Sequence, residues 1–298
     1  MRQDFTQHQT LDERDFDSLL AMALFEDTEK HGDLTSLALV PGLAQGSAAV
    51  VARTAGTMAG IPLVARIVSK IDPDLVWEPA LDDGAAIVRG SVVGSLRGPA
   101  APLLTAERPI LNFLGRLSGI ATLTRHYVDA IQGTKASIYD TRKTTPGWRR
   151  LEKYAVTCGG GKNHRTGLFD AILIKDNHLA LGRQASFSPA EAVAKAKEFL
   201  QQRFAEQPMV EIEVDTLDQL REVLPAAPDI VLLDNMTPSQ LTEAVRIRDS
   251  INPAVQLEAS GGITLQTVRA VAETGVERIS VGALTHSAIS LDFGLDWT

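Results

Sequence analysis

A single cysteine, Cys158, is all the thiol chemistry in this chain of 298 residues. One thiol excludes an intrachain disulfide and a cysteine-based zinc site, and it fits a reducing cytosol. Aromatic residues are scarce, and the three tryptophans, Trp77, Trp148 and Trp297, read as packing or interface residues. No apolar run is long enough to cross a bilayer. The leader MRQDFTQHQTLDERD has neither an apolar core nor a cleavage-like site, so no secretory signal is expected and the cytoplasm is the expected location. Positive charge is in deficit too: 29 Lys and Arg face 37 Asp and Glu, for a formal net charge of −8. That balance argues against a general nucleic-acid binder, which wants a basic domain.

What is present is enough apolar content, 44%, for one large core or two modest ones. There is also one local reversal of charge. Between Asp140 and Lys175, eight cations (Arg142, Lys143, Arg149, Arg150, Lys153, Lys162, Arg165 and Lys175) face only Asp140, Glu152 and Asp170. A basic block inside an acidic protein points to a small, multiply anionic ligand.

The first third reads as mixed α/β. Phe16, Leu19, Leu20, Ala23 and Leu24 share one helical face over residues 15–29. His31-Gly32 ends that helix, and a turn then enters a short connection closed by Pro41-Gly42. Strands are expected at Ala48 to Arg53, Leu75 to Glu78, and around Ile87 and Val93, with a helix from Ile61 to Ile71. Pro102 to Gln132 reads as one long helix or two in series, in which Gly115 and Gly119 admit another backbone. Arg108, just before Pro109, reads on its own as a solvated helix residue.

From Ser137 the pattern changes. Apolar runs recur at Ile138-Tyr139, Ala171–Ile174, Met209–Val214, Ile230–Leu233, Val255–Leu257 and Arg278–Val281. Helical stretches separate several of them: Pro189 to Gln202, Leu217 to Leu224, Ser239 to Ser250 and Leu265 to Thr274. Alternation of this kind implies a parallel sheet with right-handed crossovers. The segment is too short for eight βα units, which need roughly 250 residues. The expected architecture is an incomplete, six-stranded parallel α/β barrel, or failing that an open doubly wound sheet.

The strands would end at Asp140 and Arg142, Lys175, Glu213, Asp234, Ser260-Gly261-Gly262 and Gly282. That end of a parallel α/β barrel carries the active site. Ser260–Gly262 and Val281–Ala283 come before helix starts and would hold a phosphate on backbone N–H groups. Arg142 and Arg165 suit bidentate pairing with a carboxylate or phosphate, while Lys143 and Lys175 are point charges. Cationic neighbours are expected to lower the pKa of His164. Glu213 and Asp234 are oxygen donors for Mg²⁺. An electropositive stretch is expected to lower the Cys158 thiol pKa, but no partner base is evident. No strong general base and no triad emerge, so positioning and charge stabilisation would carry the reaction.

TRKTTPG, GGGKNHRTGLFDAILIKDNH, EIEV, LLDN, EASGGI and ISVGALTHS, in this order, closely resemble the quinolinate phosphoribosyltransferase family, the decarboxylating enzymes of NAD biosynthesis. GDLTS and AERPILNFLGRLSGIAT extend the resemblance over nearly the whole chain. It implies phosphoribosyl transfer from phosphoribosyl pyrophosphate to quinolinate with Mg²⁺, giving nicotinate mononucleotide, pyrophosphate and CO₂. It implies an N-terminal α/β open-sandwich domain, residues 1–130, completed by 287–298, and a barrel domain over 131–286. A homodimer with shared sites is implied as well. Arg142, His164 and Arg165 would bind the quinolinate carboxylates, Lys143 and Lys175 would line the pocket, and Arg108 would enter from the neighbouring subunit. Glu213 and Asp234 would face the ribose and Mg²⁺, and Ser260, Gly261, Gly262, Val281, Gly282 and Ala283 would hold the 5-phosphate. The competing readings are a same-fold transferase with another acceptor (nicotinate, or a molybdenum-linked relative), a Schiff-base aldolase using Lys175, and a non-catalytic anion sensor.

Overall fold

A computed structural model describes residues 13–183 and 187–298. The leader examined for a secretory signal lies outside them up to residue 12. The elements, in chain order, are α1 (Glu13–Thr28), α2 (Leu34–Leu39), β1 (Gln45–Ala52), β2 (Gly56–Thr57), α3 (Ile61–Ile71), β3 (Val76–Pro79), β4 (Ala86–Ile87), β5 (Val92–Pro99) and α4 (Ala100–Ala130). They continue with β6 (Ser137–Tyr139), α5 (Arg149–Cys158), β7 (Ile172–Ile174), α6 (Asp176–Arg183), α7 (Pro189–Arg203), β8 (Val210–Val214), α8 (Leu217–Val223) and β9 (Ile230–Asp234). The last are α9 (Pro238–Ile251), β10 (Gln256–Ser260), α10 (Val268–Ala272), β11 (Arg278–Ser280), α11 (Ala283–His286) and β12 (Phe293–Trp297). No described helix is long and apolar enough to cross a membrane.

These elements form two compact units. One holds residues 13–125, Thr144–Gly160 and Ala283–Thr298. Its sheet is antiparallel in the order β12-β1-β5-β3, with the last strand of the chain paired to the first, from Ala48↔Trp297 to Ala52↔Phe293. α4 runs 31 residues with Pro109 inside it, at the loss of one helical hydrogen bond. Gly115 and Gly119 lie on α4 where the returning chain passes. A Cβ at Gly119 would sit 2.1 Å from the Ile289 carbonyl oxygen, and one at Gly115 would sit 2.7 Å from that of Leu291.

Two helices of this unit do not follow from the sequence pattern. The stretch read as a turn and connection after Gly32 forms α2, because the Asp33 carboxylate accepts the N–H groups of Thr35 and Ser36 and caps it. The middle of the basic block forms α5, which buries Leu151, Ala155 and Val156. Glu152, also buried, accepts from Arg116 and from Thr145, so its carboxylate ties α5 to α4.

The other unit holds His126–Lys143 and Gly161–Gly282. Its six strands are parallel, in the order β6-β11-β10-β9-β8-β7. From β7 to β11 each strand pairs with its successor, and β6 lies beside β11. This is the order of a barrel with one seam, β6 to β7, left unpaired. Lys162 adds a one-residue parallel bridge to Tyr139 on β6. Ser188/Glu191, Thr216/Gln219 and Thr237/Gln240 form capping boxes at the starts of α7, α8 and α9, so each helix begins soon after the preceding strand or loop. Parallel pairing brings all six strand C-termini to one edge.

Candidate active site

The site is built on that edge. After β6, the buried Asp140 carboxylate shapes the chain that will carry the next cations. Its Oδ2 accepts the Asn163 side-chain amide at 2.7 Å, and its Oδ1 accepts the His164 N–H at 2.8 Å. The 163–165 turn is thereby fixed beside Arg142. Arg165 is buried, and its guanidinium donates to the Ala171 carbonyl oxygen at 3.2 Å. Burial and then repulsion from Arg142 push the Arg165 pKa below its ordinary value. Arg142 is thus near enough to repel Arg165, and the Glu211 and Asp170 charges partly offset that repulsion. Lys143 is exposed on the same segment.

The remaining strands add their ends in turn. Lys175 follows β7, and its ammonium pairs with the Glu213 carboxylate of β8. That partner occupies the amine which the aldolase reading requires as a nucleophile. Asp234 ends β9 and accepts from the Asn235 side chain at 2.6 Å. Glu213 is level with Leu232, two residues before Asp234. Side chains two apart on a strand share a face, so both acids lie on one face of neighbouring strands. Asp234 is in turn level with Ser260 at the end of β10.

Gly261 follows with φ +92°, packed so closely on Asn235 that a Cβ would meet its Oδ1 at 2.2 Å. Gly262, at φ +60°, faces open space. The expectation that a helix starts directly after this pair is corrected: α10 begins only at Val268, so the turn, and not a helix N-terminus, follows the end of β10. After β11, Val281 is buried and its N–H donates to the Tyr139 carbonyl oxygen at 2.9 Å. That N–H belongs to the sheet. Gly282 follows, and Ala283 opens the four-residue α11.

Other expectations change. The basic block is not one pocket: Arg149, Arg150 and Lys153 lie on α5 in the unit with the antiparallel sheet, and Lys153 is buried there. Arg108 lies on α4 in that same unit, 64% exposed, with Glu107 at 3.8 Å. Cys158 is not activated. Burial, reinforced by the Asp83 charge, pushes its thiol up to about 12. Asp83 is itself raised by burial, although Tyr154 and the Ile61 N–H donate to it.

His164 departs furthest from its expected surroundings. Its ring does not face only cations. Nε2 lies 2.9 Å from Glu211 and 3.4 Å from Glu258, and both acids are buried. Burial opposes a charge on the ring, yet these two carboxylates outweigh it and raise the His164 pKa. Glu211 is held low by His164, Arg278 and Arg165 against the effect of its own burial. Arg278, buried on β11, donates from Nε to Glu258 at 2.7 Å and lies 3.6 Å over the Tyr139 ring. Sequence reasoning missed Glu211, Glu258 and Arg278. The only trace in the sequence was a charge within β8 and β10 and at the start of β11, a position that ordinarily marks a solvent face, although Glu211, two residues before Glu213, shares its face. His164, Glu211 and Glu258 bring ligand-type atoms within 4.8 Å of one another. With the Arg278 guanidinium on Glu258, the group reads as an ion-pair network.

Guanidinium and ammonium groups at the ends of β6 and β7, carboxylates at β8 and β9, and a glycine turn after β10 define the class: an α/β enzyme that handles anionic substrates. Residues 33–118 match the family described as Quinolinate phosphoribosyl transferase, N-terminal domain, and residues 120–296 match its C-terminal domain. The chain belongs to the quinolinate phosphoribosyltransferase family. A nicotinate-nucleotide pyrophosphorylase (carboxylating) of Mycobacterium leprae is 43% identical over 279 residues, covering 92% of this chain and 94% of that protein. A quinolinate phosphoribosyltransferase (decarboxylating) of Nicotiana glauca is 40% identical, covering 94% of this chain and 82% of that protein. The solved nicotinate-nucleotide pyrophosphorylase of Francisella tularensis superposes with a TM-score of 0.88 at 36% identity, covering 98% of this chain and 99% of that one.

Proposed function

We propose that this chain transfers the phosphoribosyl group of phosphoribosyl pyrophosphate to quinolinate, releasing pyrophosphate and CO₂ and giving nicotinate mononucleotide for NAD biosynthesis. The observation that carries this reading is the convergence of Arg142 on the buried Arg165. Two adjacent forks suit the two adjacent carboxylates of quinolinate better than the single carboxylate of nicotinate. Lys143 and Lys175 complete the acceptor side, with His164 behind Arg165, its Nδ1 accepting the Arg165 N–H.

As the pyrophosphate leaves the anomeric carbon, positive charge develops on the ribose, and Glu213 and Asp234 are the carboxylates that would stabilise it. The pyridine nitrogen attacks that carbon and becomes quaternary. The carboxylate next to the nitrogen then departs as CO₂, its bonding pair held as a carbanion by the cationic ring until a proton replaces it. Lys175 would help neutralise the phosphates, and the turns Ser260–Gly262 and Val281–Ala283 would hold the 5-phosphate, Val281 by a route other than its N–H. Glu213 and Asp234 also fit Mg²⁺: both are oxygen donors on one face of neighbouring strands, as that hard cation prefers. When bound, Mg²⁺ supplies charge neutralisation of the pyrophosphate leaving group. We further read the enzyme as a cytoplasmic homodimer, with the exposed Arg108 reaching the neighbouring subunit's site.

The test is an assay with carboxyl-labelled quinolinate, phosphoribosyl pyrophosphate and Mg²⁺, and with nicotinate in a parallel reaction. Labelled CO₂ released in step with nicotinate mononucleotide is expected. Product from nicotinate alone would move the acceptor assignment, and no product in either reaction would reject the transferase.

A further inference from the structure

The interior of an α/β barrel is ordinarily filled with branched apolar side chains. Here β8, β10 and β11 instead bury Glu211, Glu258 and Arg278. Glu258 and Arg278 are level with each other across β10 and β11, and Glu258 shares its level with Leu232 and Glu213. A layer of charge therefore runs through the sheet behind the anion-binding ends. Well-packed apolar residues would serve stability as well or better, because ions lose their hydration on burial. The layer meets the site at one side chain, His164. Its Nε2 faces Glu211 at 2.9 Å and Glu258 at 3.4 Å, while its Nδ1 accepts the Arg165 N–H at 2.8 Å.

We propose that Glu211 and Glu258 are positioning residues, which hold the His164 ring by Nε2 so that Nδ1 fixes the backbone carrying Arg165. The inference rests on the reading of Arg165 as a ligand of a quinolinate carboxylate. Both ring nitrogens are engaged by the protein, so His164 acts through Arg165 as the hinge pin of the 163–165 turn. Asp140 holds the other side of that turn through the Asn163 side chain and the His164 N–H. Charge supports the arrangement. Arg278 donates from Nε to Glu258, and Nε2 of His164 is the cationic partner that lies 2.9 Å from Glu211.

The charged groups facing the ring are Glu211 from β8, Glu258 from β10 and Arg278 from β11, and burial acts with Arg278 against the two acids. The acids prevail, so the ring titrates above its ordinary value. Protonation at Nδ1 would cost the Arg165 N–H bond. Replacing either acid should lower the His164 midpoint and loosen the turn.

The experiment combines ¹⁵N NMR of the imidazole groups in the free full-length chain with kinetics of Glu211→Gln, Glu258→Gln and Glu211→Ala. We expect the His164 ring to carry its hydrogen on Nε2 in the wild type and its midpoint to fall in both glutamine variants. The quinolinate KM should rise about tenfold with kcat kept within about threefold, while the phosphoribosyl pyrophosphate KM stays within about twofold. Glu211→Ala should lose more than Glu211→Gln, whose amide oxygen still accepts Nε2–H. An unmoved His164 midpoint in both glutamine variants would overturn the inference. Equal rises in both KM values together with a lowered melting temperature would also overturn it, leaving a packing role. If the wild type fails to turn over quinolinate, the function reading falls by itself, and the NMR result still decides whether the acids hold the ring.

Discussion

At the scale of single residues, local surroundings outweigh the sign of the neighbours along the chain. Cys158 follows a run of cations, yet its thiol is pushed up to about 12 by burial and Asp83. It should therefore resist a disulfide reagent at about pH 8 in the native protein and react promptly once unfolded, because the thiolate is the nucleophile. Timed absorbance with and without denaturant checks this, and prompt native reaction would contradict the burial. Arg142→Ala or Arg165→Ala should strand a substrate carboxylate. Breaking a buried pair costs ~3–5 kcal/mol, so kcat/KM should fall at least a hundredfold, at ~1.4 kcal/mol per decade. A loss under tenfold in either variant would refute that role. Gly261→Ala would force a Cβ onto the Asn235 side chain at a φ of +92°. Backbone strain of this kind costs ~1–3 kcal/mol, and calorimetry should show weaker binding of phosphoribosyl pyrophosphate.

Whole elements were legible where periodicity was strong and obscured where polar residues broke it. All six parallel strands announce themselves as apolar runs, and α3 begins and ends at the residues its pattern indicates, Ile61 and Ile71. α2 was hidden because six residues are too few for a period and its start depends on the Asp33 side chain. α5 was hidden by Arg149, Arg150 and Lys153, which made a helix look like a ligand loop. At the site, the strand-end residues could be read from where the apolar runs stop. The acids behind them could not, because a charge within a strand ordinarily marks its solvent face. Between β10 and β11, Glu277 offers a test of such polar anchoring. It accepts from both Arg248 Nη atoms, from Lys135 and from the Leu257 N–H. Burial opposes its ionisation, but these donors win and hold its pKa below the ordinary value. A depressed carboxylate stabilises the fold above its unfolded pKa of about 4.3 and loses that contribution as pH falls through the folded value. Glu277→Gln should flatten the acid side of the melting-temperature profile; an unchanged slope would refute the anchor.

For the molecule as a whole, the proposed sharing of sites between subunits has a direct test. Arg108→Ala and Arg142→Ala subunits should each be nearly inactive alone. Mixed and allowed to exchange, they should recover up to about a quarter of wild-type activity, because half the dimers then contain one intact site. No recovery after proven exchange would exclude a contribution of Arg108 in trans. The antiparallel sheet carries a different consequence, one of timing. β1 is among the first strands to leave the ribosome, yet one of its two neighbours, β12, follows every other described element in the chain. Throughout synthesis β1 therefore offers an open hydrogen-bonding edge, of the kind that invites pairing with other chains. That edge closes only when Phe293–Trp297 has been made, and a chain truncated before Phe293 would keep it open.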